Sequence, residues 1–283
     1  MGGVLEKARE GRYAVGAFNI VDYNSALAVV RAAEELRSPV IVQTSVKTVR
    51  FWGHRSIRAW MEDIAGASPV PVVLHLDHCR EVDFCRRCIE EGWTSVMFDG
   101  SAEPFEENLR GTQAVAAAAE PEGVSVEAEL GRIGGVEEEL SVEEGKALLA
   151  DPDRAEEFCR KVTLAAFAPA VGTAHGVYKG EPKVAFDLIE EIAARTGVPL
   201  ALHGGTGLSE EVFRRCISLG CAKVNISTQL KYAFIDGFVE YHAEHRAYDP
   251  LKVIGAQFER VKGEMAGLME LFGSSGRAPG AGG

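Results

Sequence analysis

The feature that most constrains this chain is an alternation. Eight short runs of apolar and β-branched residues recur, each followed by a polar turn and then a segment of helical periodicity. The runs are Tyr13–Phe18, Pro39–Thr44, Pro71–Leu76, Thr94–Phe98, Val124–Glu129, Ala166–Val171, Val198–His203 and Ala222–Ile226. Helical periodicity marks Asn24–Leu36, Val82–Glu91, Pro104–Ala119, Lys183–Thr196 and Glu210–Leu219 among others. Gly92, Gly123, Gly197 and Gly220 follow helical segments, as C-terminal stops should. Parallel strands need crossover helices, so the alternation implies a parallel α/β sheet, and eight units imply closure into a single-domain (β/α)8 (TIM) barrel. An open doubly wound sheet lacks support, because no Gly-x-Gly-x-x-Gly follows the first strand.

With 283 residues, 46% of them hydrophobic, the chain can bury a large core, and no linker-like stretch divides it. Residues 1–272 read as the barrel. Residues 273–283 lack apolar side chains for docking and are expected to form a flexible tail. The net charge of −12 argues against a nucleic-acid partner, which would need a basic face. An anionic small molecule remains compatible, since clustered backbone N–H groups override global charge locally. No apolar signal region and no run of 18 apolar residues occurs, so no membrane partner is expected, and the cytoplasm is the expected location. The Cys85-Arg86-Arg87-Cys88 spacing has no second cysteine pair to complete a zinc site, and reads as helix thiols.

Barrel enzymes build their chemistry at the C-terminal ends of the strands. Those ends give Asn19, Ser45, Asp77-His78, Asp99, Glu129, His175, His203 and Asn225. Of the seven histidines, His78, His175 and His203 thus converge on the barrel mouth. Three imidazoles leave one position open on Zn²⁺, the pattern of a catalytic site. Asp99 and Glu129 stand at neighbouring strand ends, where they could orient ligands or hold an alternative metal position. His75 reads as a satisfied core histidine, and His54, His242 and His245 as surface residues.

Two donor-rich loops sit beside these histidines. Gly204-Gly205-Thr206-Gly207 follows the seventh strand, and Asn225-Ile226-Ser227-Thr228 ends the eighth. Loops in these places frequently bind phosphate through backbone N–H groups and hydroxyls. A further glycine-rich stretch, from Gly131 to Glu139, reads as a mobile loop, and its Glu137-Glu138-Glu139 run as either a solvated face or a carboxylate delivered to the site. The stretch Gly172–Gly180 carries His175, Gly176 and Lys179.

Together the segments Ala17-Phe18-Asn19, Leu74–His78, Ser125–Gly131, Gly172–Gly176, Leu202–Gly207 and Lys223–Ile226 resemble the class II fructose-bisphosphate and tagatose-bisphosphate aldolase family, from about residue 4 to Ala278. The resemblance implies an aldehyde-lyase with His78, His175 and His203 as zinc ligands, and with Asp99 and Glu129 able to hold a second or displaced metal. It implies that Asp77 exchanges a proton with the ketose C4 hydroxyl, and that Glu137 takes the proton from the dihydroxyacetone-phosphate carbon. Gly176, Gly204, Gly205, Thr206, Asn225, Ile226, Ser227 and Thr228 match that phosphate site, with Asn19, Ser45 and Lys179 as further substrate contacts. A monovalent cation (Na⁺ or K⁺) near the phosphate and a homodimer or homotetramer are implied as well.

Two features divide the substrate assignment between the family's branches. Ser227 stands where many fructose-bisphosphate members carry an acidic residue, and the segment after strand two, with Lys47 and Arg50 as contacts for the far phosphate, lacks their glycine-rich loop. The Gly204–Gly207 run and the ending Phe272–Gly276 look more like the fructose-bisphosphate branch. Fructose 1,6-bisphosphate is therefore the first expectation and tagatose 1,6-bisphosphate a close second, with a different ketose phosphate or a non-catalytic sugar-phosphate-binding barrel as alternatives. A Schiff-base lysine (Lys223 or Lys179) would be the metal-free chemistry, but it leaves three histidines unexplained. A metal-dependent hydrolase would want a His-x-His pair ending strand one, where Phe18-Asn19-Ile20 stands.

Overall fold

The computed structural model describes residues 1–137, 140–142, 148–176, 182–246 and 248–279, with only the backbone described over 135–137 and 140–142. Helix α1 (Gly2–Gly11) precedes strand β1 (Val15–Asn19), and α2 (Tyr23–Leu36) leads to β2 (Val40–Ser45). Two helices, α3 (Val46–Trp52) and α4 (His54–Gly66), then precede β3 (Val72–Cys79). Next come α5 (Val82–Glu90), β4 (Ser95–Phe98), α6 (Phe105–Ala119) and β5 (Ser125–Leu130). A hairpin follows, β6 (Gly134–Glu137) and β7 (Leu140–Val142), then α7 (Pro152–Lys161), β8 (Ala166–Pro169) and the two-residue β9 (Ala174–His175). The chain ends through α8 (Phe186–Thr196), β10 (Leu200–Leu202), α9 (Glu210–Ser218), β11 (Cys221–Ile226), α10 (Thr228–His245) and α11 (Pro250–Leu271).

Eight parallel strands close in the order β1-β2-β3-β4-β5-β8-β10-β11, as the sequence alternation implies. Closure is made by β1, which pairs Ala17 with Ile41 on one side and with Asn225 on the other. Successive side chains on a strand point to opposite faces. Val40, Val42, Leu74, Leu76, Val126, Ala128, Phe167, Val224 and Ile226 face outward into the helix layer and form the larger core. The inward series changes character along the strands. At the N-terminal end it is Val15, Ala17, Ile41, Val73, Ala166, Ala168, Ala201 and Ala222, small enough to admit Leu5 and Ala8 of α1 as a plug. Nearer the C-terminal ends the inward residues are Gln43, His75, Glu127 and Lys223, and at the rim Asn19, Asp77, Glu129, His203 and Asn225. The site is therefore the polar end of a barrel whose other end is apolar.

As far as it is described, the stretch after β5 is strand: β6 pairs antiparallel with β7 and in parallel with β9, Gly135 opposite His175, while Glu138 and Glu139 lie outside the described residues. One sequence expectation is corrected. The tail, expected to be mobile from Gly273, is docked through residue 278. Ser274 is buried and shares a 2.7 Å hydrogen bond with Ser38, while the Gly276 and Ala278 N–H groups donate to the Leu36 and Arg37 carbonyls, each at 2.8 Å. Its anchors are chiefly main-chain and hydroxyl groups, joined by the Arg277 guanidinium over the Tyr13 ring and by a buried Ala278, so the scarcity of apolar side chains does not predict its behaviour. Residues 280–283 lie outside the described residues.

Deleting residues 274–283 should remove about 2–4 kcal/mol, at about 1 kcal/mol for each buried hydrogen bond lost. The thermal midpoint should then fall by roughly 5–10 °C. An unchanged midpoint in calorimetry would restore the mobile-tail reading.

Candidate active site

Asp77 and His78 are adjacent, so a regular strand would send them to opposite faces. Two features of β3 aim both at the barrel mouth. Its register against β4 runs His75 to Ser95 and Leu76 to Val96, but then Cys79 to Phe98, which inserts one extra residue. Within that bulge His78 takes a left-handed backbone, φ +45°, a strained conformation for a non-glycine residue.

His78 and His203 meet at the centre of the mouth, Nε2 of the first 2.8 Å from Nδ1 of the second. Each uses its other ring nitrogen on a carboxylate: His78 Nδ1 lies 2.9 Å from Asp99 Oδ2, and His203 Nε2 lies 2.9 Å from Glu127 Oε1. A carboxylate only accepts, so each contact places a proton on that nitrogen; on neutral rings the two inner nitrogens then face each other lone pair to lone pair, a contact that a proton or a cation between them would relieve. His175 arrives on β9, its ring centroid 5.0 Å from that of His78 and 6.1 Å from that of His203. One ligand atom from each histidine lies within 4.8 Å of the others, a set able to hold a metal ion. His78, Asp99 and Glu129 form a second such set, with Glu129 Oε2 3.8 Å from His78 Nδ1 and 3.7 Å from His203 Nδ1.

The electrostatics follow from burial. Burial alone would raise the Asp99 pKa, but the hydrogen bond and charge of His78, then Ser101, hold the carboxyl well below its ordinary range. Burial lowers the pKa of His203, against the opposing hydrogen bond that it donates to Glu127.

Below this layer lies one the sequence reading did not assign to the site. Lys223 Nζ contacts Glu127 Oε2 at 2.6 Å and His75 Nε2 at 3.2 Å, and His75 Nδ1 lies 2.7 Å from Ser95 Oγ. All four residues are fully buried. Burial opposes the charge of Glu127, yet Lys223 and then His203 hold its pKa well below the usual carboxylate range. Burial and the Lys223 charge push His75 well down, so it is neutral. His75 is thus the satisfied core histidine expected, and Lys223 is a structural lysine. Glu127 was missed although it lies two residues before Glu129, on the same inward face.

Asp77 is braced from two sides. Asn19 Nδ2 donates to Asp77 Oδ2 at 2.8 Å, Asn225 Nδ2 donates to Oδ1 at 3.2 Å, and Gln43 Nε2 in turn donates to Asn19 Oδ1 at 2.8 Å. Gln43 is a second unforeseen member; it is the inward residue two before Ser45. Ser45 itself caps α3, its Oγ accepting from Thr48 N–H at 3.1 Å. Arg50 is paired with Glu81 at 2.5 Å.

The two donor-rich loops are brought together. Gly205 lies where a Cβ would come within 2.9 Å of the Asn225 carbonyl, and Gly204, at φ +67°, where one would come within 2.5 Å of the Ala174 carbonyl. These glycines let the loop after β10 run against both β9 and β11. Ser227 is the N-cap of α10 but makes no side-chain cap, and its buried Oγ has no hydrogen-bond partner among the described residues. The first turn of a long helix thus opens beside Asn225, an arrangement suited to an anion. Ile226 is buried, while Thr206, Thr228 and Gly176 are half-buried around it. Lys179 and the side chain of Glu137 lie outside the described residues, although the Glu137 backbone is placed in β6.

A parallel barrel with a metal-capable histidine triad, a braced carboxylate and an anion-ready helix terminus defines a class of barrel enzyme. Comparison with known proteins narrows it. The family model described as fructose-bisphosphate aldolase class-II matches residues 1–277. The chain is 44% identical over 281 residues to the fructose-bisphosphate aldolase of Geobacillus stearothermophilus, covering 97% of this chain and 96% of that one. It is 38% identical to the fructose-bisphosphate aldolase of Staphylococcus aureus, covering 97% of both. The crystal structure of the YdjI aldolase from Escherichia coli K12 superposes with a TM-score of 0.87 at 32% identity, covering 98% of both chains. The chain belongs to the class-II fructose-bisphosphate aldolase family. It is an aldolase, a lyase.

Because Lys223 is sealed in and paired with Glu127, borohydride reduction with a ketose bisphosphate present should attach no substrate to it, as read by intact-protein mass spectrometry. A reduced adduct on Lys223 would return the Schiff-base chemistry.

Proposed function

We propose that this chain catalyses the reversible, zinc-dependent aldol cleavage of a ketose 1,6-bisphosphate to dihydroxyacetone phosphate and glyceraldehyde 3-phosphate. Fructose 1,6-bisphosphate is its first substrate. The observation that carries this reading is the convergence of His78, His175 and His203, two of them oriented by carboxylates. Three imidazole donors suit Zn²⁺ and leave a position for substrate. When bound there, Zn²⁺ supplies Lewis acidity at a carbonyl oxygen, lowering the cost of negative charge as the adjacent carbon loses a proton.

The chain's own groups do the rest. Asp77, its two oxygens fixed by Asn19 and Asn225, is positioned to exchange a proton with the substrate C4 hydroxyl. Glu137 is assigned the carbon-bound proton by family resemblance, and its strand runs beside that of His175. The α10 terminus with Ser227, Thr228, Gly204 and Gly205 holds one phosphate, with a monovalent cation (Na⁺ or K⁺) beside it. The small residue Ser227 favours tagatose 1,6-bisphosphate as the second substrate. Exposed Tyr232, Ile235, Phe238 and Val239 along α10 support assembly into a homodimer or homotetramer. No helix among the described residues is long and apolar enough to cross a membrane, and the cytoplasm is the proposed location.

A coupled assay should show cleavage of fructose 1,6-bisphosphate faster than of its tagatose isomer, abolished by a chelator and restored by zinc. Activity surviving exhaustive chelation would contradict the proposal, and absence of cleavage of any ketose phosphate would favour a binding barrel. Asp77→Ala should retain zinc yet lose about 10²–10⁴ in kcat. Unchanged turnover would remove Asp77 from the mechanism.

A further inference from the structure

His203 is held by two neighbours that make opposite demands on the same nitrogen. Glu127 Oε1 lies 2.9 Å from Nε2 and can only accept; the Asn225 amide nitrogen lies 3.2 Å from Nε2 and can only donate. If Asn225 prevailed, Nε2 would be the acceptor and the proton would move to Nδ1. That is the atom facing His78 Nε2 at 2.8 Å, at the centre of the metal-capable cluster. The contest is decided one layer down. Lys223 Nζ, a pure donor 2.6 Å from Glu127 Oε2, keeps the carboxylate charged and aims its other oxygen at His203. The orientation of Lys223 is itself supported by His75 Nε2 at 3.2 Å, while the His75 Nδ1–H donates to Ser95 Oγ. Asn225 has its own acceptor in Asp77 Oδ1. One assignment of protons satisfies Glu127, Lys223, His75 and Ser95 together, and in it His203 carries its proton on Nε2.

We propose that Glu127, clamped by Lys223, is a positioning residue that fixes His203 as the Nε2–H tautomer and so makes Nδ1 its metal-facing donor. The inference rests on the metal reading of the three histidines and names residues that act on the ion only through His203. Glu127 touches neither substrate nor ion; its effect is on how firmly His203 presents its lone pair. Breaking the pair on one side leaves a buried charge without its partner, so Glu127→Gln carries a risk to folding that the doubly apolar E127L/K223M exchange avoids.

Two measurements test this. In metal-free wild type, ¹⁵N-edited NMR of the histidine side chains, with the His203 signals identified by their loss in His203→Gln, should show a protonated Nε2 and a strongly deshielded Nε2-bound proton. That deshielding should vanish in E127L/K223M. Competition with a chromophoric chelator should show zinc affinity about 10- to 100-fold weaker in Glu127→Gln and in E127L/K223M than in wild type. A bare Nε2 with the proton on Nδ1 in wild type, or wild-type zinc affinity in either folded variant, would overturn the proposal. Wild type that binds no zinc would sink the metal reading itself, and the NMR arm would still decide which tautomer Glu127 imposes.

Discussion

The structure depends on the closure made by β1, hydrogen-bonded to β2 on one edge and to β11 on the other. Without that ring, β2 and β11 would be edges of an open sheet. With it, residues far apart in sequence meet at hydrogen-bond distance: Asn225 with Asp77, 148 positions away, and His203 with His78, 125 positions away. The geometry of the site is thus a property of the strand register. A slip of one residue would turn the inward polar set into the helix layer.

The interior of this barrel is not filled with the cheapest residues. Lys223 and Glu127 are fully buried, and removing two charges from water costs several kcal/mol per ion before their attraction returns any of it. An apolar pair of similar volume would serve the core at least as well. The pair lies directly beneath the histidine cluster and is bonded to one of its members, which gives the charge a use that packing does not. The strained backbone of His78 belongs to the same pattern: a local cost in β3, borne where two consecutive side chains must both reach the mouth.

Much of this was legible in the sequence, because barrel strands and their ends follow from a period of two and from β-branched runs. His78, Asp77 and His203 are found by walking to the ends of those runs, and Asn19, Asn225, Asp99 and Glu129 come with them. Other parts were hidden for identifiable reasons. Glu127 and Gln43 sit one inward step below the rim, where a polar residue inside a strand carries no mark of its partner. The sheet formed by β6, β7 and β9 joins loops separated by an entire helix and strand, which no local pattern records. Helix α10 exposes Tyr232, Ile235, Phe238 and Val239 and buries Leu230 and Ala233, so its apolar residues do not gather into one stripe. The docking of the tail is hidden because main-chain and hydroxyl hydrogen bonds carry much of it, and these leave no mark in side-chain hydrophobicity.

The proposed function stands on three histidines, two of them fixed by carboxylates, holding a single zinc ion. The most direct test is an anomalous difference map at the zinc edge from crystals of the zinc-loaded protein. The expected result is a peak contacted by His78 through Nε2, by His203 through Nδ1 and by His175. A map with no peak among these side chains, or a peak bound through His203 Nε2, would contradict it.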